Sequence, residues 1–140
     1  MKKLTLKSLE ETRQFGIKLA QELQPGDVIA LTGDLGAGKT TLSKSIASGL
    51  GIAETISSPT FTLVCEYHSG RLPLYHFDVY RVHDSDELFE LGFEDYFHKG
   101  GVCIIEWADL LEAGLLPERS ISIKLEYGSE DDERVLTIER

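Results

Sequence analysis

The chain has 140 residues, of which 41% are hydrophobic and 27% charged, a composition typical of a single globular domain, and we expect residues 1–140 to form one domain. Its net charge of −10 argues against direct binding to a nucleic-acid backbone, which proteins hold through clustered Lys and Arg. The apolar stretches are too short to cross a bilayer, and the first residues lack the apolar region of a signal peptide. We therefore expect a cytoplasmic protein without membrane contact.

The first elements predicted along the chain are a strand, a helix and a second strand. Residues 3–7 alternate as in a short strand. Ser8 and Glu11 have the spacing of a capping box, which predicts a helix that continues to about Leu23. Residues 27–32 contain a continuous apolar run, which indicates a strand covered on both faces within a parallel sheet.

A glycine-rich loop follows this second strand. Residues 33–40 fit the pattern GxxxxGK[ST] of a P-loop, and the apolar residues after it repeat at helical spacing. Its glycines would let backbone N–H groups surround phosphate oxygens, and the start of the helix would add the positive end of a dipole. The loop consists of Gly33, Asp34, Leu35, Gly36, Ala37, Gly38, Lys39 and Thr40.

The side chains at the end of the loop predict the chemistry of the site. Lys39 would reach the outer phosphates of a nucleotide, and Thr40 would place its hydroxyl on Mg²⁺. Thr41 would add a hydrogen bond to a phosphate. We therefore expect ATP with Mg²⁺ as the ligands.

The middle of the chain predicts a hairpin followed by helices. Residues 61–67 alternate as in a half-buried strand, and residues 72–80 form a second extended run that would pair with it in antiparallel orientation. Residues 84–97 have helical character, with Gly92 dividing them into two short helices. Cys65 lies in the first of these strands without the CxxC spacing of metal and redox sites, which predicts a buried, reduced thiol.

The last third of the chain predicts three further strands. Residues 101–106 form a short apolar strand containing Cys103, for which we also expect a buried, reduced thiol. Residues 121–127 alternate, and residues 135–138 would return against them as a closing hairpin. The order of elements predicts an α/β fold: a single P-loop NTPase domain with a mostly parallel central sheet, antiparallel hairpin additions and flanking helices.

A P-loop also predicts an acidic residue at the end of another strand, where its carboxylate can reach Mg²⁺ directly or through water. Glu106 follows four apolar residues, and Asp78 ends the segment 75–78 within the second strand of the first hairpin. Either could act at the metal or on the catalytic water, or be an ordinary surface carboxylate. Thr60, between the P-loop helix and the hairpin, is a candidate sensor of the terminal phosphate, although a plain turn into the strand would explain residues 57–60 nearly as well.

The remaining motifs distinguish between classes of P-loop protein. A signalling GTPase needs DxxG and NKxD-like segments, and neither occurs in the chain. A small-molecule kinase normally adds a lid with clustered arginines, whereas the arginines here are scattered. ATP hydrolysis coupled to a partner protein fits best. A nucleotide-dependent binding switch whose hydrolysis is incidental, and a small P-loop kinase, remain as alternatives.

Four sequence blocks together resemble the motifs of the TsaE family. They are residues 33–41, 58–64, 76–81 and 105–108, and their order and separation match that family. The resemblance implies the ATPase component of bacterial threonylcarbamoyladenosine synthesis, which modifies adenosine 37 of tRNAs that read codons beginning with adenosine. It implies TsaB and TsaD as partner proteins, with the threonylcarbamoyl transfer performed by TsaD and tRNA met only through the complex.

The resemblance also implies roles for individual residues. Thr40 and Glu106 would hold Mg²⁺, Lys39 and Thr41 would bind the phosphates, and Asp78 would assist at the metal or the water.

Three further residues are implied nucleotide neighbours. Trp107 would lie beside the site, and Leu9 and Thr12 would lie on the adenine side. Ordinary packing of the first helix explains the last two about as well.

Overall fold

The elements of a computed structural model follow the predicted order. The model describes residues 2–33, 36–56, 64–80, 86, 88, 90, 92–111 and 114–140. The strands are β1 (Lys2–Leu6), β2 (Val28–Gly33), β3 (Val64–Tyr67), β4 (Leu74–Asp78), β5 (Val102–Glu106), β6 (Ile121–Tyr127) and β7 (Arg134–Glu139). The helices with both ends in the described residues include α1 (Leu9–Glu22), α2 (Lys39–Gly49) and the 3₁₀ helices Phe93–His98 and Ala108–Leu110.

The described strands form one seven-stranded sheet in the order β1-β7-β6-β2-β5-β4-β3. The central strands β6, β2, β5 and β4 pair in parallel. The β6–β7 and β3–β4 pairs are antiparallel, and β1 adds to the outer edge of β7 in antiparallel orientation. The predicted α/β fold with a mostly parallel centre and antiparallel additions is confirmed.

The apolar run of β2 is continuous because both faces of the central sheet are covered. Ile29 and Leu31 belong to the core that α1 and α2 share with one face. Val28 and Ala30 belong to a second core on the opposite face, which includes Phe93 of the first 3₁₀ helix. A strand buried on both faces needs apolar side chains at every position, which is the pattern that the sequence displays.

Helix α1 begins as its capping box predicts and packs tightly on α2. The hydroxyl of Ser8 accepts a hydrogen bond from the backbone N–H of Glu11. Gly16 permits the close approach of the two helices, since a Cβ there would lie 2.5 Å from the Cβ of Ser45. This contact fixes the position of α2, whose first residue is Lys39, relative to α1.

The predicted division of the segment at residues 84–97 is confirmed where the structure describes it. Residues 86, 88 and 90 are helical, Gly92 has a φ of 78°, and a 3₁₀ helix follows. Leu88 and Tyr96 are buried. Residues 84, 85, 87, 89 and 91 of this prediction, and residues 61–63 of the predicted hairpin, lie outside the described residues.

The two cysteines differ in burial. Cys103 is buried in β5, its thiol contacts the carbonyl of Tyr96, and burial raises its pKa to about 12. The prediction of a buried thiol is wrong for Cys65, which is only half-buried. The reason is its place in β3, an edge strand, which among the described strands has a neighbour on one side only. Neither Cys65 nor Cys103, both of which the structure describes, is in a disulfide.

None of the helices within the described ranges is long and apolar enough to cross a membrane.

Candidate active site

A cleft of about 270 Å³ lies at the carboxyl edge of the parallel strands. The loop after β2 forms one wall, and the ends of β4 and β5 form the other. In the sheet register, Glu106 at the end of β5 lies beside both Leu31 of β2 and Asp78 of β4. The residues that line the cleft are Gly36, Gly38, Lys39, Thr40, Thr41, Asp78, Glu106 and Trp107.

The backbone of the loop is shaped for close approach by a ligand. Gly36 and Gly38 have φ angles of 81° and 108°, which side-chain-bearing residues rarely adopt. A Cβ at Gly36 would also lie 2.7 Å from the hydroxyl oxygen of Tyr127. Glycine at these positions leaves the backbone N–H groups accessible at the N-terminus of α2, as phosphate binding requires.

Arg134 on β7 holds the backbone of this loop through a hydrogen bond. Its Nε donates to the carbonyl of Ala37 over 2.9 Å, and its guanidinium lies 4.7 Å from the ring centroid of Tyr127. The same side chain donates to the carbonyls of Asp131 and Glu133. Arg134 therefore connects the loop to the closing hairpin.

Lys39 is buried between the loop and the second wall. Its Nζ donates to the carbonyl of Gly33 over 2.7 Å and lies 3.8 Å from the centroid of the Trp107 ring. Trp107 has a φ of 64°, the one positive φ outside glycine among the described residues. This unusual backbone directs the indole, which also packs 4.7 Å from the ring of Tyr80, toward the cleft.

Trp107 should therefore report nucleotide binding. It is the single tryptophan of the chain, and a protonated amine against an indole quenches its emission. If a phosphate draws the Lys39 ammonium away, tryptophan fluorescence should rise on addition of ADP with Mg²⁺. The Lys39→Ala protein should start at the higher intensity and respond little, and an equal response in both proteins would contradict this prediction.

Glu106 forms the centre of a buried hydrogen-bond network. The residue is 2% exposed. Its Oε1 accepts from the hydroxyl of Thr40 over 3.1 Å, and its Oε2 lies 3.2 Å from the hydroxyl of Ser43 and against Nε2 of His76. A buried carboxylate is tolerated only with such partners, and these place it beside the loop hydroxyl.

Asp78 lies next to Glu106 at the edge of the cleft. It is half-buried, and its Oδ1 accepts from the backbone N–H of Tyr80 over 3.0 Å. Its backbone pairs in register with Glu106. The two carboxylates predicted from the sequence therefore lie on neighbouring strands and face one cleft.

The oxygen donors at the cleft suit Mg²⁺, which prefers hard oxygen ligands. The hydroxyl of Thr40 and the carboxylate of Glu106 are already in contact. No group of three His, Cys, Asp or Glu side chains suited to a metal ion occurs in the part of the chain that the structure describes. A P-loop site needs no such group, because phosphate oxygens and waters supply most ligands of Mg²⁺.

The structure brings together most of the predicted site residues that it describes. Asp34, Leu35 and Thr60 lie outside the described residues, so their roles stay predictions. Leu9 is 52% exposed and lines a neighbouring cleft with Thr41.

Thr12 is the predicted site residue that the structure separates most clearly from the cleft. It is buried in α1, and its hydroxyl donates to the carbonyl of Ser8 over 3.3 Å. It is not among the lining residues of either cleft. The adenine-side role of Leu9 and Thr12 thus stays a prediction, and the structure offers helix packing as the reason for Thr12.

Three residues of the site were missed as contributors: His76, Ser43 and Arg134. Period-two alternation could have found His76, because it lies two residues before Asp78 and thus on the same face of β4. Helical spacing could have found Ser43, because it lies four residues after Lys39. No local pattern predicts the role of Arg134, because the residue that it contacts, Ala37, is 97 positions away in the sequence.

Comparison with known proteins identifies relatives of this chain. The family model for "Threonylcarbamoyl adenosine biosynthesis protein TsaE" matches residues 6–136. A protein named tRNA threonylcarbamoyladenosine biosynthesis protein TsaE from Bacillus subtilis is 50% identical over 128 residues, covering 91% of this chain and 78% of the relative. Its namesake from Treponema pallidum is 42% identical, covering 94% and 96%.

A solved structure agrees with these relatives. The crystal structure of Bacillus subtilis YdiB superimposes with a TM-score of 0.80 and 43% sequence identity, covering 98% of this chain and 83% of that one. Family model, relatives and structure all span nearly the whole chain. The chain belongs to the TsaE family.

Proposed function

We propose that this protein is the Mg²⁺-dependent ATPase of tRNA threonylcarbamoyladenosine biosynthesis, acting on adenosine 37 together with TsaB and TsaD. The observation that carries the proposal is the convergence of Lys39 and Thr40 from the loop with Glu106 from the neighbouring strand in one cleft. The TsaE family name supplies the pathway.

The residues of the cleft have different roles in the transfer of a phosphoryl group to water. The backbone N–H groups of the loop and the Lys39 ammonium bind phosphate oxygens, and Thr41 adds a hydroxyl. Thr40 and Glu106 would hold Mg²⁺, which when bound offsets charge that develops on the phosphates. Asp78, beside Glu106, would orient the attacking water.

The site supports slow hydrolysis by the isolated protein. Among the described arginines, Arg134 contacts the loop, but its guanidinium is engaged by the backbone carbonyls of Ala37, Asp131 and Glu133. In P-loop enzymes that use an arginine to contact the phosphates, this arginine raises the turnover rate about 10³–10⁵-fold. We propose that binding of TsaB and TsaD completes or organises the site.

The net charge of the chain agrees with a complex in which the partner proteins bind the tRNA. A chain with a net charge of −10 repels a polyanion, so tRNA is expected to contact the partner proteins. Cytoplasmic location follows from the proposed pathway.

A reconstitution assay tests the proposal. TsaB, TsaD, ATP, Mg²⁺ and the remaining pathway components would be incubated with tRNA that reads codons beginning with adenosine, with or without this protein. Modified adenosine is measured by mass spectrometry of the digested tRNA, and phosphate release is measured in parallel. We expect repeated rounds of modification only when the protein is present, and faster phosphate release with TsaB and TsaD. Unchanged phosphate release and no complex on a sizing column would overturn the partner-dependent ATPase.

A further inference from the structure

The hydrogen bonds around Glu106 are distributed unequally between its two oxygens. Oε1 accepts from the hydroxyl of Thr40, a residue that lines the cleft. Oε2 faces the interior, where His76 and Ser43 are its partners. The side chain of His76 is 0% exposed, and it lies on β4, the strand adjacent to β5.

The hydroxyl of Ser43 has two possible acceptors, of which Oε2 of Glu106 is one. It lies 3.2 Å from Glu106 Oε2 and 3.0 Å from the carbonyl of Lys39. A hydroxyl carries one proton, so it can donate to only one of these acceptors at a time. His76 is therefore the more constant donor to the interior oxygen of Glu106.

The second nitrogen of His76 identifies the tautomer. Nδ1 is buried and has no hydrogen-bond partner among the described residues. A proton on Nδ1 alone would leave a buried donor unsatisfied and would turn the lone pair of Nε2 against the carboxylate of Glu106. The tautomer with its proton on Nε2 avoids both costs and donates to Oε2.

From this arrangement we infer that His76 is a positioning residue for the metal site: it holds Oε2 of Glu106 and so directs Oε1, beside the Thr40 hydroxyl, toward Mg²⁺. The inference rests on the proposed function and adds a residue that supports the ligand without touching the metal. Outer-shell partners of metal ligands typically alter metal affinity by about 10–100-fold when they are removed.

The test separates metal binding from nucleotide binding. ADP binding to the wild-type, His76→Leu and His76→Gln proteins is measured by Trp107 fluorescence, first in EDTA and then across a Mg²⁺ titration. We expect His76→Leu to bind ADP normally in EDTA and to need roughly 10–100 times more Mg²⁺ for its half-maximal effect. His76→Gln, whose amide places a donor near the position of Nε2, should recover much of this loss.

Other outcomes distinguish the inference from the proposed function. Half-maximal Mg²⁺ within about twofold of wild type in His76→Leu would overturn the positioning role, as would equal losses of ADP binding with and without Mg²⁺. Failure of the wild-type protein to bind ADP at all would instead overturn the proposed function.

A measurement on the wild-type protein keeps the inference testable if His76→Leu does not fold. In ¹⁵N NMR spectra, the His76 signals, identified by their loss in His76→Gln, should show a proton on Nε2, the nitrogen that lies against Oε2 of Glu106. Addition of ADP with Mg²⁺ should shift the Nε2 resonance more than addition of ADP in EDTA. An Nε2 that carries no proton would overturn the assignment.

Discussion

Replacing Lys39 with alanine is expected to reduce ATP turnover by on the order of a hundredfold or more, because the phosphates lose their one buried cation donor within the loop. Lys39 is 5% exposed, and its Nζ is held by the carbonyl of Gly33 and the face of Trp107. A cation fixed in such a site acts in a medium of low dielectric constant, where it contributes far more than a solvated lysine would. Phosphate release under saturating ATP measures the effect.

The fold should survive this substitution. Alanine leaves the carbonyl of Gly33 without the lysine donor, but it also removes the cost of burying an ammonium, and we expect the free energy of unfolding to change by no more than about 1–2 kcal/mol. Urea titration measures that change. Lys124→Ala, at an exposed position on β6, is the matched control and should keep wild-type turnover. Turnover within a few fold of wild type in Lys39→Ala would contradict the assigned role.

The loop, its flanking elements and both carboxylates could be predicted because each depends on neighbours close in sequence. Residues 33–40 follow a continuous apolar run and precede residues repeated at helical spacing, and these local patterns require a strand, a turn and a helix. Glu106 could be predicted because a single acid ends an otherwise apolar strand, and parallel strands bring their carboxyl ends to one edge.

The supporting contacts could not be predicted in the same way, because they join segments that only the sheet order brings together. Arg134 reaches Ala37 from β7, which is separated from β2 by β6. His76 reaches Glu106 because β4 lies beside β5, an adjacency that nothing in the local sequence specifies. The half-buried state of Cys65 likewise follows from the edge position of β3.

The Glu106→Gln protein is expected to lose Mg²⁺-dependent ATP hydrolysis by at least about a hundredfold. The network around residue 106 fixes which way the new amide points. Its oxygen should accept from His76 on the interior side, where Oε2 lies in the native protein. Its NH₂ group must then face Thr40 and the cleft, so a donor replaces the acceptor that Mg²⁺ requires.

The same geometry predicts which properties remain. Lys39 and the loop are unaltered, so ADP binding in EDTA should stay close to wild type while the Mg²⁺ dependence of binding is lost. Glu118→Gln, at an exposed residue that does not line the cleft, is the charge-matched control and should behave as wild type. Full hydrolysis by Glu106→Gln would contradict its assignment to the metal or the water.

The tRNA assay with Glu106→Gln then decides between an ATPase and a binding switch. If hydrolysis is required, this protein should bind ATP yet support no repeated rounds of adenosine modification with TsaB and TsaD. If it supports many rounds, bound nucleotide alone is sufficient and the switch hypothesis is correct.

Adding His76→Leu to Glu106→Gln should cause little further loss of ATP turnover, because His76 acts through the carboxylate that has already been removed. The effects of the two substitutions should therefore be non-additive.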